Sequence, residues 1–570
     1  MDPNLTKVLR FFGVTYRNVT AEEFLTGRSN GSKPRLLCSA PSLLQLITRL
    51  DRRSAANLIW REHLHSVFVY GANDADALKR LARILTCDDD ASIEQLKQSD
   101  GDFVVSDKMD DFCSAMAGLR IPGSKAAGSS CSAITTTKPG STSIISAGSG
   151  ALFLKAEYNK VPIFLSTSGS IIDLDAILPT GIFDIRDHVS SALPIVLYIK
   201  WAFAKSCWNA PEANACLIID DPLLKPTHGF VDFSDLLSLM KRHQFSTNIA
   251  FIPWNWRRST PEVARLFREN PQNYSISVHG CDHTRAEFGS ANQQRLYWKA
   301  QQALERMNRH ESITGIRHDR VMVFPQGKFS EAAMSALKHT DLIAAVNSDI
   351  ISVDPHPRAI TVSDVWDIAV MGYSNFPLFT RRYPWEGIEN FAFDALLGKP
   401  AIIVIHHDYC SDHCSRLITF IERLNALKIA PTWRSLREVV RRSCRQRELS
   451  ADEVEVEMYA AELRVENGSN RPRRFLIRRR ESEPVAIREV SDGAAPIPWS
   501  SANGYINFEL KLGPGHSTVV GLKFQRMAGN GRNGDSLPYK FKAMLRRYLC
   551  EIRDNYVTTT KLRISEFLRS

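Results

Sequence analysis

The chain has 570 residues, of which 44% are hydrophobic and 24% charged, an ordinary globular make-up that is too long for one core and predicts three or four domains. Its net charge of +10 is mild at this length, so a nucleic-acid or membrane partner would have to be argued from a local patch. No apolar run reaches the roughly 18 residues of a spanning helix. Met1-Asp2-Pro3-Asn4-Leu5 lacks the form of a signal peptide. Eleven scattered cysteines then read as reduced thiols of a cytoplasmic protein.

Residues 1–145 read as an N-terminal α/β domain. Apolar strands at 35–39, 66–71 and 102–106 alternate with helical patterns at 42–50, 75–85 and 110–119, which predicts a parallel sheet. No phosphate-binding glycine pattern follows these strands, so no chemistry is assigned here. The Ser-, Gly- and Thr-rich stretch 123–150 reads as a flexible connector or mobile loop. Residues 146–210 read as a connector with short strands and a helix near 187–207.

The central domain, 211–448, repeats strand, loop and helix. Strands are expected at 217–219, 248–252, 274–278, 321–324, 342–346 and 401–405, with helices at 234–243, 261–269, 291–309 and 331–338. This spacing predicts a (β/α) barrel, complete or partial, with an open doubly wound sheet as the alternative. Residues 449–526 alternate with period two and predict a β-sandwich-like domain. A Gly/Asn-rich linker opens 527–570, which ends as a basic helical tail.

Two apolar runs of the central domain end in groups that bind metal or move protons. The first closes on Asp220-Asp221-Pro222, the second on His279-Gly280-Cys281-Asp282-His283. Just past a strand end the chain can turn, so one carboxylate can bind a cation while its neighbour serves as a base. His279 and His283, at i and i+4, would share one face of a helical turn.

Ile218-Ile219-Asp220-Asp221, the His279–His283 motif, Phe324-Pro325-Gln326-Gly327 and Ile403-Val404-Ile405-His406 occur in the order seen in polysaccharide deacetylases. Residues 211–445 therefore resemble that group, also called the NodB-homology group or carbohydrate esterase family 4. The resemblance implies that Asp221, His279 and His283 ligate a divalent metal, most simply Zn2+, and that Asp220 is the base for the attacking water. His406, with adjacent His407 as the alternative, would protonate the leaving amine. Val323 and Phe324 precede Pro325, so the family's third-motif arginine, which orients the base, is missing or supplied elsewhere. Pro222 stands where the family often has glycine.

Trp254 and Trp256, aromatics at a strand end, with Pro325 and Gly327, are the expected substrate-binding positions. Cys410, His413 and Cys414 form a weaker candidate zinc cluster. The arginines of 471–480 read as a solvated face or a charge-protected strand edge. The expected function is metal-dependent removal of N-acetyl or similar acyl groups from an amino sugar or polysaccharide. A non-catalytic carbohydrate-binding or scaffold protein is the competing reading, motivated by the missing arginine. The expected partner is an acetylated saccharide, with no specific nucleic acid and with peripheral contact of the basic tail on an anionic surface.

Overall fold

Seven parallel strands surround the site: β1 (Asn214–Asp220), β2 (Thr247–Phe251), β3 (Tyr274–His279), β4 (His318–Val323), β5 (Ala344–Asn347), β6 (Leu378–Thr380) and β7 (Ala401–Ile405). The structure, a computed structural model, describes residues 2–26, 33–51, 64–71, 73–97, 101–123, 130–136, 141–528, 536–558 and 560. The strand order is β6-β5-β4-β3-β2-β1-β7. The ring closes beyond β6: the Arg382 amide donates to Ile402 O at 2.9 Å, and the Val404 amide donates to Arg382 O at 3.0 Å. The domain is thus a (β/α) barrel rather than an open doubly wound sheet. Every residue of β1, β2, β3 and β7 is buried, which is why these strands read as unbroken apolar runs.

The surrounding helices start where their caps dictate. Asp232 caps Phe233–His243, Thr260 caps Pro261–Glu269 with proline at the first turn, and Ser330 caps Glu331–Lys338, each side-chain oxygen taking an otherwise unpaired amide. Strand β6 was not expected, since three residues make too short a run to stand out.

The N-terminal region is a mixed sheet rather than a parallel one. Arg35–Ser39, Ser66–Tyr70 and Val161–Ser166 run parallel. Val161–Ser166 then pairs antiparallel with Gly150–Tyr158, which pairs antiparallel with Thr142–Ala147, and that strand with Phe103–Val105. The sheet therefore runs through the boundary expected at 145/146, and strands assigned to the connector form its middle. Part of the Ser/Gly/Thr-rich stretch is strand too, Ser130–Thr135 and Thr142–Ala147; 124–129 and 137–140 lie outside the described residues, as does 529–535 of the linker. The helix expected at 110–119 is only Asp110–Cys113 with a 3-10 turn, Ser114–Met116. Helix Val189–Phe203 places Tyr198 against Phe68 and Phe164, in a buried cluster continuous with the barrel.

The C-terminal β domain is a sandwich of a five-stranded and a three-stranded sheet. Its apolar faces (Val456, Ile477 and Ile506; Leu463, Val490 and Val520) share one buried cluster with Ile343 and Val346 of the barrel. The arginine-rich strand Arg473–Arg480 is matched internally. Arg473 meets Glu448 at 3.1 Å, and Arg478 meets Glu455 at 3.2 Å. Arg479, fully buried, pairs with Glu481 and donates to Asn375 O at 2.9 Å, while Lys338 also meets Glu481 at 2.7 Å. Among the described residues no helix is long and apolar enough to cross a membrane.

Arg479 thus fastens the sandwich to the barrel through a desolvated network. Arg479→Ala is expected to destabilise the chain by about 3 kcal/mol, because breaking a buried pair strands its partner; a lower midpoint in urea denaturation checks this.

Candidate metal centre and catalytic pocket

Strand β1 delivers both carboxylates. Asp220 is its last extended residue, whereas Asp221 takes a positive φ of 80°, a conformation that costs a non-glycine residue roughly 1–3 kcal/mol. The Asp221 amide is held by Ala250 O at 3.3 Å. Its Oδ1 lies 3.1 Å from His283 Nε2 and 3.4 Å from His279 Nε2. Ligands about 2.0–2.2 Å from one tetrahedral ion would stand about 3.4 Å apart, so the spacing fits a shared cation. Asp221 Oδ1 is also buried with no hydrogen-bond partner, the state of an atom reserved for a ligand. Among the described residues this trio is the group with metal-ligand spacing.

The two histidines do not share a helical turn. Strand β3 ends at His279, and the chain then winds as a loop with φ of 63° at Gly280 and 55° at His283. The loop is wrapped around one carboxylate that sequence reasoning missed. Glu287 Oε1 accepts from the Cys281 amide at 2.6 Å and the His283 amide at 3.1 Å, and Oε2 accepts from the Asp282 amide at 3.1 Å. A Cβ on Gly280 would stand 2.3 Å from Pro325 Cγ, so glycine there lets the second and third motifs touch. His279 Nδ1 donates to Val323 O at 3.0 Å, which leaves Nε2 bare toward Asp221. Asp282 points away, into a buried cluster with Lys299 and Arg306. Burial pushes the Cys281 thiol well above its ordinary range, as suits a packed residue rather than a nucleophile.

The missing arginine is supplied from elsewhere in the barrel. Arg381, directly after β6, places Nη1 and Nη2 each 2.8 Å from the two oxygens of Asp220, and both side chains are buried. Burial pushes the Asp220 carboxyl up, but Arg381 and His279 outweigh it and hold it below the ordinary range. For Asp221, His283 and His279 overcome burial and hold it well below that range. Burial lowers the His279 pKa, yet Asp220 and Asp221 carry it above the ordinary imidazole value.

A pocket of about 310 Å³ opens on this centre, lined by Asp221, His283, Gln326 and His406. His407 stands behind this lining, its Nε2 3.6 Å from Asp554 Oδ1 and its ring edge-on to His228. Trp254 packs edge-on against Tyr548, and Trp256 lies beneath Arg257 and Arg309; from this segment Asn255 and Arg258 line the pocket. Of the third motif, Gln326 lines the pocket, with Pro325 buried behind it against Gly280 and Gly327 set back against Asn347. Cys410 and Cys414 are buried beside each other.

The roof of the pocket is the helix Leu537–Ile552 with the turn after it, a role the sequence did not suggest. Arg546, Arg547, Cys550, Glu551 and Asp554 line the cavity. Glu551 pairs with Lys225 and Arg258, Asn555 Oδ1 accepts from the Gly229 amide at 2.8 Å, and the Tyr539 hydroxyl donates to Asp282 at 3.0 Å. Arg547 Nη2 lies 3.4 Å from His283 Nδ1.

No protein-family model and no curated protein matches the sequence. Solved structures similar to about 40% of this chain include deacetylases and members of carbohydrate esterase family 4. A deacetylase solved with its substrate is 13% identical, over 40% of this chain and 90% of its own, at a TM-score of 0.25. A putative polysaccharide deacetylase from Mycobacterium smegmatis is 15% identical, over 39% and 88%, at 0.27. A family 4 pseudoenzyme from Bacillus anthracis is 12% identical, over 40% and 66%, at 0.25. At TM-scores this low, the chemistry has to be read from the side chains themselves.

Two outcomes follow from the geometry. Glu287→Ala should weaken metal binding about 10- to 100-fold, the usual effect of removing a group that orients a ligand, in competition with a chromogenic chelator. Arg381→Leu should destabilise the fold by about 3–5 kcal/mol at neutral pH. Wild-type Asp220, its pKa depressed, contributes stability that is present above the ordinary carboxylate range and lost as pH falls. In the variant burial raises that pKa, so the gap between the two proteins should narrow on acidification, as urea titrations at neutral and acid pH will read.

Proposed function

We propose that the pocket is the active site of a metal-dependent hydrolase that removes an N-acetyl or similar acyl group from an amino sugar. The observation that carries this reading is the convergence of Asp221, His279 and His283 on one point beside an ionised second carboxylate, Asp220. One carboxylate oxygen and two imidazole nitrogens suit zinc. Such an ion, when bound, supplies Lewis acidity to an acyl carbonyl and to water.

Asp220 takes the proton of the water that attacks the carbonyl, its oxygens aimed by the two-pronged contact with Arg381. His406, exposed at the end of β7 and facing the pocket, gives a proton to the amine as the carbon–nitrogen bond breaks. The products are the free amine and a carboxylate. The competing reading, a non-catalytic scaffold, drew on the missing arginine, and Arg381 weakens that ground.

Size and charge narrow the substrate. A roofed cavity of about 310 Å³ is at the small end of ligand pockets and suits one sugar unit better than a polymer lying across the barrel. Arg547 is 5% exposed, its Nε has no partner, and burial lowers its pKa. An imidazole that ligates through Nε2 carries its proton on Nδ1, where it would meet Arg547 donor against donor. The guanidinium, with Arg546 beside it, is then left to an anion, since an uncompensated buried cation is costly. A carboxylate or phosphate on the sugar would serve.

Acetate release across neutral and acidic N-acetylated saccharides, with and without chelator, tests this. The acidic sugars should be hydrolysed faster, chelator should abolish turnover, and Asp220→Asn should cut kcat by about 10²–10⁴ while zinc remains bound. Stoichiometric zinc with no acetate from any sugar would favour the scaffold, and zinc retained in both His279→Ala and Asp221→Ala would remove the site altogether.

A further inference from the structure

Residues 537–557 carry nine of the twenty-one large apolar side chains that stand exposed among the described residues. The helix that roofs the pocket is amphipathic in the reverse sense to an ordinary surface helix. Its inward face is small or polar: Ala543 and Arg547 are buried, and Tyr539, Cys550 and Glu551 are half-buried against the barrel. Its outward face is a stripe of Phe541, Leu545, Leu549 and Ile552, with Phe541 61% and Leu549 55% exposed, while Tyr548 at its edge turns back onto Trp254 and Arg258. These positions recur at helical spacing, so they form one continuous surface, of the kind that marks an interaction site.

The charges on the segment are sorted in the same way. Its two carboxylates, Glu551 and Asp554, both turn inward, to Lys225 and Arg258 and to His407. The charged groups it leaves in solvent are Lys540, Lys542 and Arg553, and Arg553 reaches back to Asp554. A second aromatic feature stands at the same end of the barrel, in the turn after β6. Trp385 is 62% exposed and stacks on Tyr383 at 4.3 Å. Apolar stripe, flanking cations and a projecting tryptophan are together the equipment of an interfacial helix on anionic lipid. A second copy fits less well, because stripe against stripe would set cations against cations whichever way the helices run.

We propose that the outer face of Leu537–Ile552, with Trp385, lies on an anionic lipid surface and holds the pocket end of the barrel against it. The proposal stands independently of the hydrolase reading, because these side chains point away from the pocket.

Flotation of the full chain with phosphatidylcholine vesicles, and with vesicles that also contain phosphatidylglycerol, tests it. The protein should float with the anionic vesicles, and rising salt should weaken the binding. Leu545→Glu with Leu549→Glu should abolish flotation while zinc content and thermal unfolding stay as in the wild type. Lys540→Glu with Lys542→Glu should weaken it about tenfold or more. Wild-type protein that stays out of the lipid fraction at low salt would overturn the proposal. So would flotation undiminished in the double glutamate variant, or a dimer in light scattering that this variant dissolves, which would assign the stripe to a second copy.

Discussion

The arrangement of the candidate site depends on a change of backbone hand at one residue. Neighbouring side chains of a strand point to opposite faces, so two aspartates in continuous extended backbone could not serve one cavity. Asp220 is still extended, and at Asp221 φ becomes positive. That single turn lets Asp221 face the imidazoles while Asp220 faces Arg381. A strained residue persists where its surroundings over-determine it. Here the amide is tied to β2, and the carboxylate stands between His279 and His283. Like the strained backbone, the depressed carboxylates and the unpartnered Oδ1 gather at this point.

The parts of the site that the sequence made legible are those whose signal is local. Asp220-Asp221 and His279/His283 each sit at the end of a long apolar run, and the runs are long because the strands are buried on both faces. Arg381 has no such signal. It is 161 positions from Asp220, after a strand of three residues, and nothing in its neighbourhood distinguishes it from any other arginine. The departure at Val323-Phe324 therefore left open whether the arginine was lost or supplied elsewhere, and the positive charge comes from a different strand end. The histidine pair shows a subtler ambiguity: the same i, i+4 spacing suits a helical turn and a loop wound on a carboxylate. Gly280, straight after the strand, was the available cue, since a glycine there announces a positive φ.

Strand direction and strand composition explain the rest of the differences. An apolar run says that a strand is buried, but not which way its neighbour runs, so Phe103–Val105 was placed in a parallel sheet although it pairs antiparallel with Thr142–Ala147. Between 130 and 147, serine, glycine and threonine hid the strand positions Ile134, Ile144 and Ile145, which are fully or almost fully buried. The terminal helix was legible as a helix and as basic. Its placement was not, because its apolar face, the usual guide to what a helix covers, points the wrong way.

That inversion sets the energetics of the roof. A helix laid on a barrel by its apolar face is held at about 25 cal/mol per Å² of buried apolar surface. This one is held chiefly by polar contacts: Glu551 with Lys225 and Arg258, Asn555 with Gly229, Tyr539 with Asp282. Lys225 is 38% exposed and Glu551 only 15%, so these pairs are partly screened by water and salt. The contacts that hold the roof are therefore of the kind that water and salt weaken, while Asp221, His279 and His283 stand at or just beyond the ends of wholly buried strands. Any surface that receives the outer stripe would steady the roof without altering a contact on its inner face.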